Sequence, residues 1–289
     1  WNNWKAVMIR TLFSKTINVL KENFEAISRP EQVNHAKSAL KKELSQWPEE
    51  KIILEINRHY AGFYLGLTSE TQAVFAKLGR INKNEEIVSR IETDASRDAT
   101  RACFLMEDHP GLFSRLAGAI ALAGANVIDA RTYTTSDGYA TAVFWLQSNE
   151  GKLFEENRLS RLNRTIIKAL KGEIIPRDAL KEKGKIKRKE KDFIVPTNIT
   201  FDNEGSELYT IIEIDTRDRL GLLHDLARTL TNNYVTIASA IIATYGEQAV
   251  DTFYVKDLFG LKLHSENKRI KLAKKLKIAI EDGTLIGVD

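Results

Sequence analysis

The feature that most constrains this chain is an internal duplication. Residues 110 positions apart match in type: Asp108 with Asp218, Gly111 with Gly221, Leu112 with Leu222, Leu116 with Leu226, Ala117 with Ala227 and Ala130 with Ala240. Self-similarity at a fixed offset marks a structural unit used twice.

The pattern within each copy identifies the unit. Ala102 to Met106 is a short apolar run ending in Glu107-Asp108, and His109-Pro110-Gly111 then makes a turn suited to starting a helix. Phe113, Leu116, Ala117 and Ile120 stripe that helix, and Gly124 stands where a left-handed cap is favoured. Val127 to Thr135 and Tyr139 to Gln147 read as strands joined by a Ser136-Asp137-Gly138 turn, and Leu159, Leu162, Ile166 and Leu170 mark a second helix. The second copy repeats this order. Tyr209 to Thr216 is a strand, Leu223, Leu226, Ala227 and Leu230 stripe a helix, and Val235 to Tyr245 with Ala249 to Asp257 form the hairpin. A last helix, Lys268 to Asp282, turns Leu272, Ala273, Leu276, Ala279 and Ile280 inward and a row of lysines outward. The order β-α-β-β-α, completed by one more strand, predicts two ferredoxin-like βαββαβ sandwiches in an α+β chain.

The residues upstream read as helices. Trp1, Trp4, Met8 and Leu12, then Ile17, Leu20 and Phe24, recur at helical spacing until Arg29-Pro30 stops the stripe. Ser69-x-x-Gln72 looks like a capping box ahead of Val74, Phe75 and Leu78, and Tyr60, Phe63 and Tyr64 read as a packing surface. The expected division is a helical region over 1–98, a first α+β unit over 99–175, a basic linker over 176–196, and a final segment over 197–289. That last segment is expected to hold the closing strand of the first unit and all of the second.

Composition excludes several classes. Apolar residues make up 43% and charged residues 28%, the balance of a soluble globular chain, and no stretch reaches the roughly 20 apolar residues of a membrane span. The expectation is a soluble, cytoplasmic protein, and one cut from a longer chain, since it opens on Trp1-Asn2-Asn3. Cys103 is the only cysteine, read as a buried strand thiol, so neither a disulfide nor a cysteine-based zinc site can form within one chain. The +4 net charge is concentrated in Arg177 to Lys191, with eight basic and three acidic residues. Without interleaved aromatics this reads as a mobile solvated linker, not as a nucleic-acid or membrane surface.

Three places carry residues that suggest chemistry. His224-Asp225 is a His-Asp doublet without further convergent ligands, read as a polar helix face rather than a metal site. Gly205-Ser206 followed by Glu213 and Asp215 resembles a magnesium-holding nucleotidyltransferase signature, but with the wrong first carboxylate and a short spacing. The turns Asp108 to Leu112 and Asp218 to Leu222 are stronger. A helix start exposes N–H groups and partial positive charge that suit a carboxylate, glycine admits close approach, and a nearby aspartate answers an ammonium. With the amide of Asn126 able to match another amide, the candidate ligand is a free amino acid, held by Asp108, Gly111, Leu112, Asn126, Asp218, Gly221 and Leu222. The alternatives are ordinary helix capping in a dimerisation module without ligand, and a residual nucleotidyltransferase at Gly205 to Asp215.

The turn Asp108-His109-Pro110-Gly111-Leu112-Phe113 and the later Ala125-Asn126-Val127 resemble an ACT domain, an amino-acid-binding regulatory family. Asp218 to Leu223, Ala238 to Glu247 and Asp251 to Asp257 resemble the C-terminal end of bacterial PII uridylyltransferases, which are also uridylyl-removing enzymes. Trp1 to Lys5 and Arg10-Thr11-Leu12 resemble the last helix of that family's HD hydrolase domain. The resemblance implies a parent enzyme that uses UTP and magnesium to modify the PII nitrogen-signalling protein, reverses this by hydrolysis, and senses glutamine through paired ACT units. It implies no catalytic residues, metal or cofactor in this segment. The expected partners are glutamine, PII through the parent enzyme, and self-association through the ACT units. Asp251 stands at a hairpin position often acidic in the family, where the first copy has Ala142.

Overall fold

The computed structural model describes residue 13 and residues 28–81, 86–148, 150–173, 196–245 and 247–285. Four helices come first among them: α1 (Arg29–Glu43), α2 (Glu49–Asn57), α3 (Ala61–Gly66) and α4 (Ser69–Leu78). Pro30 stands in the first turn of α1. Proline is tolerated in a first helical turn, where its missing N–H had no partner to lose, and the Ser28 N–H and hydroxyl both donate to the Glu31 carboxylate, at 2.9 and 2.8 Å. The cap of α4 is Thr68, one residue before the expected Ser69, and its hydroxyl oxygen accepts the Thr71 N–H at 3.4 Å. The stripe from Trp1 to Phe24 and the basic run Arg177 to Lys191 lie outside the described residues.

The rest of the chain forms β1 (Ile87–Asp94), β2 (Ala99–Glu107), α5 (Leu112–Leu122), β3 (Asn126–Thr134), β4 (Tyr139–Gln147), α6 (Glu156–Leu170), β5 (Asn198–Asp202), β6 (Thr210–Arg217), α7 (Leu222–Asn232), β7 (Val235–Tyr245), β8 (Gln248–Asp257) and α8 (Glu266–Leu285). All eight strands join one antiparallel sheet in the order β1-β2-β4-β3-β7-β8-β6-β5.

Two expectations about strands are overturned. β1 lies inside the region read as helical, because its apolar content is low and only Val88 is buried, so the strand period is weak. Ile87 and Ile91 pack toward the core shared with α6, while Val88 packs toward the N-terminal helices. The segment after residue 197 does not close the first unit: β5 pairs with β6, because β1 already occupies the edge beside β2. Each unit thus keeps the ferredoxin-like strand arrangement, but its edge strand comes first in the chain, giving β-β-α-β-β-α.

The halves meet at a short seam in which Asp129 faces Ile241, Ala130 faces Ala240 and Arg131 faces Ser239. Ala130 and Ala240 are matched positions of the duplication, so the seam has an approximate twofold axis through that pair. A second matched pair, Ser114 and His224, meets where α5 packs on α7, with the imidazole Nδ1 2.8 Å from the Ser114 carbonyl oxygen.

Helices α6, α5, α7 and α8 line one face of the sheet in that order and enclose a continuous apolar core. Helices α1 to α4 cover the opposite face of the first unit, over Val88, Cys103, Leu105, Val143 and Trp145. This explains a difference between equivalent strands. β4, covered on both sides, is buried almost throughout, whereas β8 alternates buried and half-buried positions.

The helical layer is pinned to the seam through α3. Arg131 donates to the Gly66 carbonyl, and a β-carbon at Gly66 would collide with the Tyr133 hydroxyl. Gly66→Ala should therefore cost about 1–3 kcal/mol by overpacking, measurable by urea unfolding.

Candidate ligand site at the glycine turns

The two singled-out turns are built alike. Gly111 and Gly221 stand at the helix starts with φ of +86° and +83°, a left-handed conformation open to glycine without a Cβ penalty, and no side chain caps either helix. Each turn is closed by its own hairpin: the Asp108 N–H donates to the Gly138 oxygen at 3.0 Å, and the Asp218 N–H to the Glu247 oxygen at 2.7 Å. Leu112 and Leu222 are buried in the core, so they offer only backbone to a ligand. The Asp108 carboxylate is exposed and accepts from the Thr134 hydroxyl.

The first turn does not stand alone. A β-carbon on Gly111 would lie 3.5 Å from the Thr231 methyl at the end of α7, so the first turn abuts the helix of the other unit. Sequence reasoning missed this, since nothing local to either copy reveals the packing of α5 on α7.

Asn126 is not brought to the turn of its own unit. It pairs with Gln147 at one end of β3, whereas Asp108 is bonded to Thr134 at the other, roughly 26 Å away at about 3.3 Å per strand residue. The antiparallel seam instead carries the Asn126 end of β3 toward the end of the second hairpin that closes the Asp218 turn.

Asp251 is the residue that distinguishes the two sites. β8 turns Ala249, Asp251, Phe253 and Val255 toward the helices, and Asp251 is 2% exposed with its Oδ1 unpartnered. Burial first, and the neighbouring Asp218 carboxylate second, push its pKa up to about 8. The pairing register sets Asp251 opposite Ile214 and Ile242, and Ala142 opposite Phe104 and Thr132, so the two are structural equivalents. The inward phase of β8 was a signal in the sequence for this residue.

The remaining candidates have structural partners. His224 is buried on the α5–α7 contact and does not form the polar face expected of it, because the seam covers that side of α7. Asp225 pairs with Arg219 at 2.7 Å. Gly205 donates its N–H to Asp202, and the Asp215 carboxylate accepts from Gln248 at 2.7 and 2.8 Å, while Glu213 is exposed. Cys103 is buried, and burial raises its thiol to about 12, which keeps it protonated and unreactive. No helix of the described residues is long and apolar enough to cross a membrane.

Two family models match the units. Residues 103–149 match the ACT domain, and residues 198–288 match the ACR9-like, ACT-like domain. The chain carries a tandem of ACT-type units. Over 98% of its length it is 55% identical to a bifunctional uridylyltransferase/uridylyl-removing enzyme of Ruegeria pomeroyi and 54% identical to one of Cereibacter sphaeroides. A relative of the same description from Rhodospirillum rubrum is 36% identical over 97%. The chain spans 32%, 30% and 30% of these relatives, about a third of their length.

Proposed function

We propose that this chain is the glutamine-sensing regulatory segment of a cytoplasmic enzyme that attaches uridylyl groups to the PII protein and removes them. The observation that carries this reading is a pair of glycine-started helices, each with an aspartate at its turn and packed on each other across the seam. A helix start suits the ligand carboxylate, and an aspartate suits its ammonium. A ligand lodged between a turn and the facing helix stabilises one arrangement of the seam, and Arg131 and Tyr133 link that seam to the helical layer. Transfer and hydrolysis, with their magnesium, belong to the remainder of the parent enzyme.

Calorimetric titration of the 289-residue chain with the common amino acids tests the reading. Glutamine should bind, and asparagine, one methylene shorter, should bind less well. Asp218→Ala should weaken glutamine by about 1.5–3 kcal/mol, roughly ten- to a hundredfold. Gly221→Val should obstruct the turn, and Gly111→Val reports on the first site. Unchanged affinity in all three variants, each shown folded by circular dichroism, moves the site elsewhere. If no amino acid binds, a self-associating module without ligand replaces the reading.

A further inference from the structure

We propose that Arg58 is the positioning residue through which occupancy of the first turn reaches the helical layer, and that the second turn has no matching output among the described residues. This rests on the amino-acid-sensing reading above and adds which turn signals, through which contact and to which element.

The tip of the first hairpin is bonded on two sides. Toward the turn, the Gly138 oxygen accepts the Asp108 N–H, and the Thr134 hydroxyl at the base of the tip donates to the Asp108 carboxylate. Toward the helices, the Ser136 N–H donates to the Arg58 carbonyl oxygen at 2.9 Å, and the Arg58 Nε donates to both Asp137 carboxylate oxygens at 2.9 Å each. The consecutive residues Ser136, Asp137 and Gly138 thus join the turn to the end of α2.

Arg58 is fixed from the other side as well. Its side chain is 17% exposed, and its guanidinium stands 3.8 Å from Glu55 and over the Tyr139 ring at 5.4 Å. A β-carbon on Gly79, just past α4, would lie 2.9 Å from its Nη1. Glu55 also bonds His59 at 2.9 Å, and His59 stacks on Phe63 inside the layer. An open groove of about 470 Å³, lined among others by Trp47, Leu54 and Arg80, runs beside the contact. The tip is therefore held by directional, charge-assisted bonds and not wedged by apolar packing, so a shift of the tip passes to α2 through Arg58.

The second hairpin is wired differently. Its matched acidic residue, Glu247, pairs with Arg217 of its own unit at 2.9 Å, while α1 to α4 pack on the outer face of the first unit. The exposed Arg29–Glu207 pair, 3.7 Å apart, reaches the β5–β6 connection and not the second turn. Linkage then fixes the sign: if glutamine at the first turn strengthens the Arg58–Asp137 contact, that contact strengthens glutamine binding by the same factor.

Hydrogen exchange of the full chain with and without saturating glutamine, read over Glu49–Asn57, tests this. In the parent, glutamine should slow exchange of this stretch roughly three- to tenfold, toward the low end of usual couplings because Asp137 is half exposed. Asp137→Asn should cut the slowing to less than about twofold and weaken glutamine by the factor lost, whereas Asp137→Glu, which keeps the carboxylate, should restore most of both. A purely structural role for the contact would change α2 exchange equally with and without ligand. Glutamine that binds without slowing α2, or that slows it equally in Asp137→Asn, overturns the inference and leaves the sensing reading standing. Absence of glutamine binding to the parent chain removes both. The measurement on the unaltered chain needs no variant to fold.

Discussion

Phe63→Ala should cost about 3–5 kcal/mol of stability, the range for emptying a large buried aromatic site. Phe63 is 1% exposed and is the hub of the helical layer. It stacks on His59 with ring centroids 3.8 Å apart and makes edge contacts with Tyr64, Phe75 and Tyr133 at 5.6, 6.0 and 5.8 Å. Tyr133 belongs to β3, so the loss loosens the attachment of α3 to the sheet as well as the interior of the layer. Urea unfolding of the parent, Phe63→Ala and Tyr60→Ala gives the comparison. Tyr60 is 65% exposed and its truncation should stay within about 0.5 kcal/mol. A cost below about 1 kcal/mol at Phe63 would show that the helices do not unfold together with the sheet.

The second large effect is a stability that falls as pH rises. Asp251 has a folded-state pKa raised to about 8 from an ordinary 3.8, so between those values the folded chain binds a proton that the unfolded chain has released. The contribution is fully present below about pH 4 and is lost as pH climbs through about 8. A full one-proton difference is about 1.4 kcal/mol per pH unit, so the loss between pH 5 and 8 is on the order of 3 kcal/mol. Glu92, Asp94 and Asp137 behave oppositely. Arginine, serine and tryptophan hydrogen bonds outweigh burial and hold them below the usual carboxylate range, so their contribution is lost only as pH falls below about 4, outside this window. Thermal melts without ligand at half-unit steps from pH 5 to 8 should slope downward in the parent and flatten in Asp251→Asn. Equal slopes would mean that Asp251 is ionised or solvated in the folded chain.

Individual residues show where sequence reasoning succeeds and where it stops. The strand Tyr139–Gln147 was legible as a near-continuous apolar run bounded by a turn signal, and the helices striped by Leu116 and Leu226 because one face of each is apolar at the helical period. β1 was not, because it carries only three large apolar residues, Ile87, Val88 and Ile91, and only Val88 is buried, too weak a pattern to stand out beside the preceding helices. At Pro30 the sequence was ambiguous, since proline can close one helix or open another, and the Ser28–Glu31 cap shows that here it stands in the first turn of a helix. At the site, Gly111 and Gly221 were readable from turn chemistry, and the structure places both in the left-handed region. The placement of Asn126, at the far end of β3 from the Asp108 turn and carried by the seam toward the second hairpin, was not legible because it depends on pairing between the two units.

The sequence by itself determined the repeated unit, its strands and helices, and the two turns, because periodicity, glycine and the matched residues are local properties of a chain. It also contained the inequality between Ala142 and Asp251. Tertiary structure alone decided that β1 and β5 form the edges, that the matched pair Ala130 and Ala240 lies on the axis of one continuous sheet, and that the first turn faces the other unit's helix. Those outcomes depend on which surfaces remain uncovered once neighbouring elements have packed. The same packing buries Asp251 on the helix-facing side of β8 with one carboxyl oxygen unpartnered, turning an ordinary acidic residue into a buried one.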